Sequence, residues 1–375
     1  MKPKETNSRI IIDKMLLEAG WKLPGWHKDE EINVETEIVN KHGEADYVLL
    51  NSKRFPLCTV EAKNKLKSPL EGKEQARKYA ESLKSRFILL SNGVIHYQWD
   101  LSQGNPFLID KFPTQEQLEL RTDSFNPSRD EYEEINDDYL AITQLPKFKE
   151  NPDYKNENKR SEFIKKNKLR PLRYYQLKAI KVIQQNIKKG NDRFLLEMAT
   201  GTGKTTTSAA IIKMFLRLYK VKRVLFLVDR LELETQARKE INEVLQNDYQ
   251  TVIWKEKKDD WIKAEIVVST VQSFIQHNKY KRIFRPNDFD LVISDEAHRS
   301  LGERSRNVFE YFIGFKLGLT ATPRDFLKSV DIDDLSVENP KQLERRLMLD
   351  TYSIFGCDDG EPTFRYTLEQ GVKDG

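Results

Sequence analysis

Two groups of residues in this 375-residue chain have the types and spacing that reaction chemistry needs. The first is Asp46, Glu61 and Lys63. The stretch "LCTVEAKN" (57–64) reads as a short buried strand ending in Glu61 and Lys63, two positions apart and so on one face. The strand-like run Asp46–Leu50 is joined to it by the loop "NSKRFP". A hairpin symmetric about the Lys53–Arg54 bond pairs 50 with 57, 48 with 59 and 46 with 61. Asp46 then faces Glu61 with Cβ atoms roughly 5 Å apart. Carboxylates that close repel unless a cation lies between them, and hard oxygen ligands with open positions suit Mg²⁺. Lys63 on the same face can position water and stabilise a phosphorane-like charge. The trio reads as a metal-dependent phosphodiester-cleaving site; the plainer alternative is a solvated lysine at a strand end. Glu5 is either a further acid of this site or an ordinary glutamate at a helix start. Cys58 points away into the core, and His42, close to Glu44, reads as a loop residue rather than a ligand.

The second group is built on "MATGTGKTTT", between the strand Phe194–Met198 and a helix. Backbone N–H groups of Thr200, Gly201, Thr202 and Gly203, at the positive end of that helix, suit phosphate oxygens. Lys204 reaches the β- and γ-phosphates of ATP and Thr205 holds Mg²⁺. Asp295, ninety-one residues after Lys204, lies in "DLVISDEAHRS". Its apolar strand ends in Asp295 and Glu296, at the carboxyl edge where open α/β sheets bind ligands. Asp295 is expected to bind Mg²⁺ through water, Glu296 to orient the attacking water, and His298 to couple nucleotide state to the rest of the protein.

These groups need elements to hold them. A helix capped by Asn7 and running to about Ala19, strands over 32–39, 46–50 and 57–63, a helix over Pro69–Lys84 and a strand over Phe87–Gly93 are predicted for residues 1–125. Gln75 and Tyr79 share a face of the second helix. Residues 126–168 are polar and charge-segregated, acidic first and basic later, and read as a linker with short helices. From Leu169 onward apolar strands alternate with helices, the pattern of a parallel α/β sheet. Net charge is +4, charged residues are 33% and hydrophobic residues 38% of the chain. That balance is compatible with nucleic acid without arguing for it. No run approaches the ~18 apolar residues of a membrane span, and the amino terminus lacks a signal-peptide core. Cys58 and Cys357 have no metal-ligand spacing and are expected as unpaired thiols in a reducing cytoplasm.

The order helix, strands with "D46…E61-A-K63", helix, strand resembles the PD-(D/E)xK nucleases. "Q-x-x-x-Y" (Gln75, Tyr79) resembles a motif of a subset of them, where it supports DNA contact and the active site. The later motifs resemble the first motor lobe of superfamily 2 helicases and translocases, whose loops accept Met198 in place of the first glycine when a glycine stands where Gly201 does. That resemblance implies that Gln176 in "RYYQLKAI" reads adenine, with Tyr174 or Tyr175 stacking on the base. It also implies that Arg230, Thr270 and Gln272 contact DNA and that Thr320 and Thr322 of "GLTATP" link ATP to DNA. The combination, together with "DRLELETQA" and "YTLEQGVKDG", resembles the restriction subunit of type I restriction–modification enzymes.

The resemblance implies an α/β chain with a nuclease domain over 1–125, a charged linker over 126–168, a RecA-like lobe over 169–335, and the start of a second lobe or a connector over 336–375. Only 53 residues follow Thr322, so the chain is expected to be the amino-terminal portion of a longer protein. It further implies ATP-driven translocation of double-stranded DNA coupled to Mg²⁺-dependent cleavage of unmethylated DNA. Methyltransferase and specificity subunits would be the partners, with S-adenosylmethionine belonging to the methyltransferase. Two other readings stand beside it: the restriction subunit of a type III system, where the nuclease follows the motor, and a helicase-like remodelling or repair protein with a non-catalytic DNA-binding amino-terminal domain.

Overall fold

The computed structural model describes residues 3–40, 43–102, 106–124, 130–255, 260–276, 279–297, 303–323, 350–357 and 360–374. They form two compact units. The first comprises the described residues of 1–126, 189–192 and 324–360; the second comprises those of 127–188, 193–323 and 361–375.

The first unit is a six-stranded sheet between helices. Helix α1 (Pro3–Glu18) precedes strands β1 (Val34–Asn40), β2 (Gly43–Leu50) and β3 (Pro56–Ala62). Helix α2 (Lys73–Leu83) crosses over to β4 (Phe87–Ser91), which lies parallel to β3; β5 (His96–Asp100), β6 (Phe107–Ile109) and helix α3 (Gln115–Ser124) follow. The strands stand in chain order across the sheet. Alternation along them builds two cores. Ile12 and Leu16 of α1 pack with Leu49, Val60, Phe87 and Leu89, while Ala76 and Ala80 of α2 pack with Ile88, Leu90 and Trp99. A 3₁₀ turn over Pro69–Gly72 leads into α2; its entry is capped by Ser68, whose hydroxyl accepts from the Leu70 N–H at 3.3 Å.

The predicted β2–β3 register holds at Val48–Thr59 and Tyr47–Val60, then shifts at the turn, where Leu50 pairs with Pro56 rather than Leu57. Asn51 causes the shift. Its side chain accepts from the Lys53 and Phe55 N–H groups at 2.9 and 2.8 Å, and Arg54 takes a left-handed φ of 63° to close the loop.

The second unit is a seven-stranded parallel sheet. Short helices α4 (Ala141–Gln144), α5 (Pro152–Lys155) and α6 (Glu157–Lys166) precede α7 (Tyr174–Lys188). Then come β7 (Arg193–Met198), α8 (Lys204–Leu218), β8 (Val224–Val228), α9 (Leu231–Leu245), β9 (Thr251–Ile253), β10 (Ile266–Thr270), α10 (Val271–Ile275), α11 (Lys279–Ile283), β11 (Leu291–Asp295), α12 (Glu303–Tyr311) and β12 (Phe315–Thr320). Beyond α13 (Thr351–Ile354), which belongs to the first unit, lie β13 (Phe364–Tyr366) and α14 (Leu368–Asp374). The strand order is β13-β7-β12-β11-β8-β10-β9.

Two boundaries differ from the sequence reading. The expected linker is docked on the second unit. Buried Lys213 of α8 donates to the Tyr139 carbonyl at 2.9 Å and to the Thr143 hydroxyl, and Asn247 donates to the Thr143 carbonyl at 2.8 Å. Ala141, Phe148, Phe163 and Leu169 make a small core of their own. Charge counting sees the segregated acids and bases but not the apolar residues spaced among them. Residues 364–366, placed by expectation in a second lobe or connector, instead form the edge strand of this sheet, parallel to β7. Arg365 pairs with Glu197 at 2.9 Å there.

Candidate active sites

In the first unit, the ladder that pairs Tyr47 with Val60 sets Asp46 and Glu61 at its next step. Asp46 Oδ2 accepts from the Ala62 N–H at 2.7 Å. Glu61 is 3% exposed, and its Oε1 takes a 2.7 Å bond from Lys63 Nζ. The same ammonium donates to Gln75 Oε1 at 3.2 Å, and Gln75 Nε2 donates to Tyr79 OH at 2.5 Å. A continuous series, Glu61–Lys63–Gln75–Tyr79, therefore joins the end of β3 to α2. Two glycines make room for it. A Cβ on Gly72 would lie 2.7 Å from Lys63 Cε and 2.9 Å from Glu61 Cγ, and one on Gly43 would lie 2.7 Å from Tyr79 OH.

Burial pushes the Glu61 carboxyl up to about 7, against the hydrogen bond and charge of Lys63, with Asp46 adding to the rise and Arg9 opposing it. Glu61 Oε2 is buried without a hydrogen-bond partner. A buried carboxylate oxygen lacking a donor suits a hard cation, so Asp46 and Glu61 fit a divalent ion that keeps several waters. Among the described residues, no group of three or more His, Cys, Asp or Glu side chains gathers as a metal cluster.

The sequence reading missed Arg9 and Glu37. Arg9 of α1 pairs with Asp46 Oδ1 and donates to Glu37 Oε1 at 2.9 Å. A signal was present: Arg9 and Asp13 stand four apart beside the apolar stripe of α1, and Asp13 accepts from Tyr47 OH at 2.8 Å. The side chain of Glu5, and all of His42 and His298, lie outside the described residues. Cys58 and Cys357 are free and buried.

In the second unit, β7 ends at Met198 and the loop turns into α8 with Gly201 at φ 82° and Gly203 at φ 79°, both in the left-handed region open to glycine. Thr200 and Gly201 are exposed, while the Thr202 hydroxyl donates to the Ala199 carbonyl at 2.7 Å. Lys204 Nζ lies 3.2 Å from Glu296 Oε1. Glu296 follows the last residue of β11 with φ 50°, a strained conformation for a residue with a Cβ, and its N–H donates to Asp295 Oδ1 at 3.1 Å. Burial, then the neighbouring Glu296 charge, push Asp295 up to about 6, against Lys204. Lys204 and Thr205 open α8 after the loop that leaves β7, and Asp295 and Glu296 stand at the end of β11.

Gln176 is buried. Its Nε2 donates to the Gly203 carbonyl at 3.2 Å and its Oε1 accepts from the Arg173 N–H at 2.9 Å, so its amide grips the phosphate loop. Tyr175 is buried too, its ring stacked 3.9 Å from Tyr366 and its hydroxyl donating to the Thr202 carbonyl at 2.8 Å. Of the two tyrosines only Tyr174 is exposed; it hydrogen-bonds Asp374. Tyr366, whose carbonyl accepts from the Ala199 N–H at 3.1 Å, was another residue that the sequence reading left without a role.

The expected DNA-contacting residues divide. Arg230 immediately precedes α9 and is exposed, its side chain making no capping bond, and Gln272 is exposed on α10. Thr270 is 1% exposed, and its hydroxyl accepts from the Ser273 N–H at 3.3 Å as the α10 cap. A buried cap is not free for DNA, which corrects the expectation for Thr270. Thr320 is buried and its hydroxyl accepts from the Thr322 N–H at 3.1 Å, leaving Thr322 exposed at the strand end. No helix among the described residues is long and apolar enough to cross a membrane.

The family model described as type I restriction enzyme R protein N terminus matches residues 11–113, and that described as type III restriction enzyme, res subunit, matches 169–325. The EcoAI endonuclease subunit of a type I restriction enzyme from Escherichia coli is 29% identical over 343 residues, 88% of this chain and 36% of the relative. The EcoKI endonuclease subunit from Escherichia coli strain K12 is 29% identical over 443 residues, 99% of this chain and 34% of the relative. A solved fragment described as an HsdR subunit of a type I restriction enzyme from Vibrio vulnificus YJ016 is 25% identical, with a TM-score of 0.36 over 99% of this chain and 61% of that one. The chain spans about a third of the length of these two curated relatives. By its two matched segments and these relatives, the chain is similar to the amino-terminal portion of type I restriction enzyme endonuclease subunits.

Proposed function

We propose that this chain supplies the motor and the nuclease of a type I restriction enzyme: ATP-driven movement of double-stranded DNA, and Mg²⁺-dependent cleavage of DNA that lacks the protecting methylation. The observation that carries the reading is the Glu61–Lys63–Gln75–Tyr79 series beside Asp46, in a chain that also pairs Lys204 with Glu296. Asp46 and Glu61 would hold a divalent ion, which when bound supplies a Lewis acid for the phosphate. Lys63, fixed between Glu61 and Gln75, presents its ammonium to the developing negative charge. In the motor, Lys204 moves from Glu296 to the incoming β- and γ-phosphates of ATP, and Glu296 is released to orient water. Asp295 and Thr205 would hold the Mg²⁺ that accompanies the nucleotide. Methyltransferase and specificity subunits are the partners this reading requires, and S-adenosylmethionine belongs to the former.

The type III reading draws on the name of the family model over the motor. The position of the nuclease unit ahead of the motor, where the type I model matches, favours type I. The test is a pair of substitutions in the assembled enzyme. Lys63→Ala should abolish cleavage and leave ATP hydrolysis and translocation near wild type, since loss of one positioned group costs about 10²–10⁴ in rate. Lys204→Ala should abolish all three activities. Wild-type cleavage of unmethylated plasmid by Lys204→Ala would show a nuclease independent of the motor and overturn the reading.

A further inference from the structure

Arg9 spans two strands. Its guanidinium reaches Asp46 Oδ1 on β2 and Glu37 Oε1 on β1. Glu37 and Asp46 are the positions between the Thr36–Tyr47 and Ile38–Ala45 pairs, so two carboxylates meet across adjacent strands and Arg9 bonds both. Acids at such cross-strand positions repel. Glu37 also breaks its strand's conformation, with φ 56°. A left-handed non-glycine residue inside a strand is strained and persists where surrounding contacts hold it. Glu37 is half exposed, so burial does not force it there, and its carboxylate is bonded by Arg9.

An independent observation points to a cation at Glu61: its side chain is buried with Oε2 unpartnered, while Asp46 Oδ2 is already tied to the Ala62 N–H. The free acceptor belongs to Glu61, and the Asp46 oxygen not bound to backbone is held by Arg9.

We infer that Arg9 is a positioning residue that occupies Asp46 in place of the metal, neutralising Asp46 and Glu37 when the site is metal-free and yielding Oδ1 when a divalent ion binds. The inference rests on the reading of Asp46 and Glu61 as a metal site. It assigns Arg9 a cost to metal binding, so that the site half-fills at a higher concentration of ion.

The test is Mn²⁺ titration of this chain, followed by melting temperature and by the electron paramagnetic resonance signal of free Mn²⁺, for wild type, Arg9→Gln, Arg9→Lys and Asp46→Ala. Arg9→Gln leaves the acids unshielded. Its metal-free melting temperature should fall and its Mn²⁺ affinity should rise by up to about fivefold, the range of a part-exposed ion pair. Arg9→Lys keeps the charge without the fork that bridges two carboxylates, and should bind Mn²⁺ between wild type and Arg9→Gln. Should Arg9→Gln not fold, Arg9→Lys decides alone, and wild-type or weaker affinity in it overturns the inference. Loss of Mn²⁺ binding in Asp46→Ala, with unchanged or weaker binding in the Arg9 variants, sinks the Arg9 role and leaves the metal site standing. A wild-type Mn²⁺ response in Asp46→Ala sinks the metal site itself.

Discussion

Glu61→Gln is the substitution whose consequence can be worked out furthest from the structure. Burial raises the Glu61 carboxyl from a glutamate's 4.5 to about 7 in the folded chain, the Lys63 ion pair notwithstanding. In that interval the folded state binds a proton that the unfolded state has lost. Stability therefore falls as pH rises from about 4.5 to about 7, and above it the folded chain carries the full cost of a buried charge. Each tenfold change in proton concentration is worth about 1.4 kcal/mol, so the interval amounts to roughly 3 kcal/mol. Glutamine has the same shape, stays neutral and still accepts from Lys63. Without metal, Glu61→Gln should match wild type below about pH 4 and exceed it by up to about 3 kcal/mol at pH 8. Urea unfolding in EDTA at pH 5, 6, 7 and 8 measures this, and taking the difference between the two proteins removes the titration of every group they share. Mn²⁺ binding to wild type should also release close to one proton at pH 6 and almost none at pH 8.5, read by calorimetry in two buffers of different ionisation enthalpy. A difference curve flat from pH 5 to 8 would refute the argument, because it would mean that the carboxyl is solvated in the folded state.

Gly72 has φ −86° and ψ −2°, which alanine adopts freely, so Gly72→Ala tests space alone. Its methyl group must push Lys63 off Glu61, and cleavage by the assembled enzyme should drop at least tenfold for an overpacking cost of about 1–3 kcal/mol, measured by plasmid cleavage beside urea unfolding. Thr270→Ala should lose about 1 kcal/mol of stability with the α10 cap and change duplex affinity little. Gln272→Ala should do the reverse, with fluorescence anisotropy on a labelled duplex as the binding measurement.

What the sequence disclosed about the fold follows the range of the interactions that make each element. Strands β2 and β3 and helix α2 are each specified by local alternation or by a local stripe, and the Tyr47–Val60 register followed from a hairpin whose two arms are joined by a short loop. The shift at Leu50 escaped because it depends on one side chain, Asn51, folding back on its own loop. The 130–168 segment escaped for a different reason. Its buried residues, Leu140, Ala141, Phe148 and Phe163, stand at irregular spacing among polar and charged ones, and the last three are buried against one another and Leu169 rather than on a regular face. Strand β13 has three residues, too few for alternation to be visible, and it is held by pairing with β7, some 170 positions earlier.

The same distinction separates the site residues. Lys63 and Gln75 are put in one site by the resemblance that "Q-x-x-x-Y" carries, and the short chain between the consecutive elements β3 and α2 brings the end of one near the start of the other. Lys204 and Glu296 could be paired because parallel sheets gather ligands at one edge whatever the separation along the chain. Arg9 obeys neither rule. Its contact with Glu37 and Asp46 depends on where α1 rests against the sheet, and that is set by Ile12 and Leu16 packing on Leu49, Val60 and Phe87. A cation placed by tertiary packing leaves only a faint mark in sequence, the i,i+4 pair Arg9 and Asp13 at the margin of an apolar stripe. The carboxylates it serves leave a plain one, since Asp46 and Glu61 would repel each other in any hairpin that pairs them. The motif thus states that a positive charge is required, and the packing of α1 determines that in the metal-free chain an arginine shares that task with Lys63.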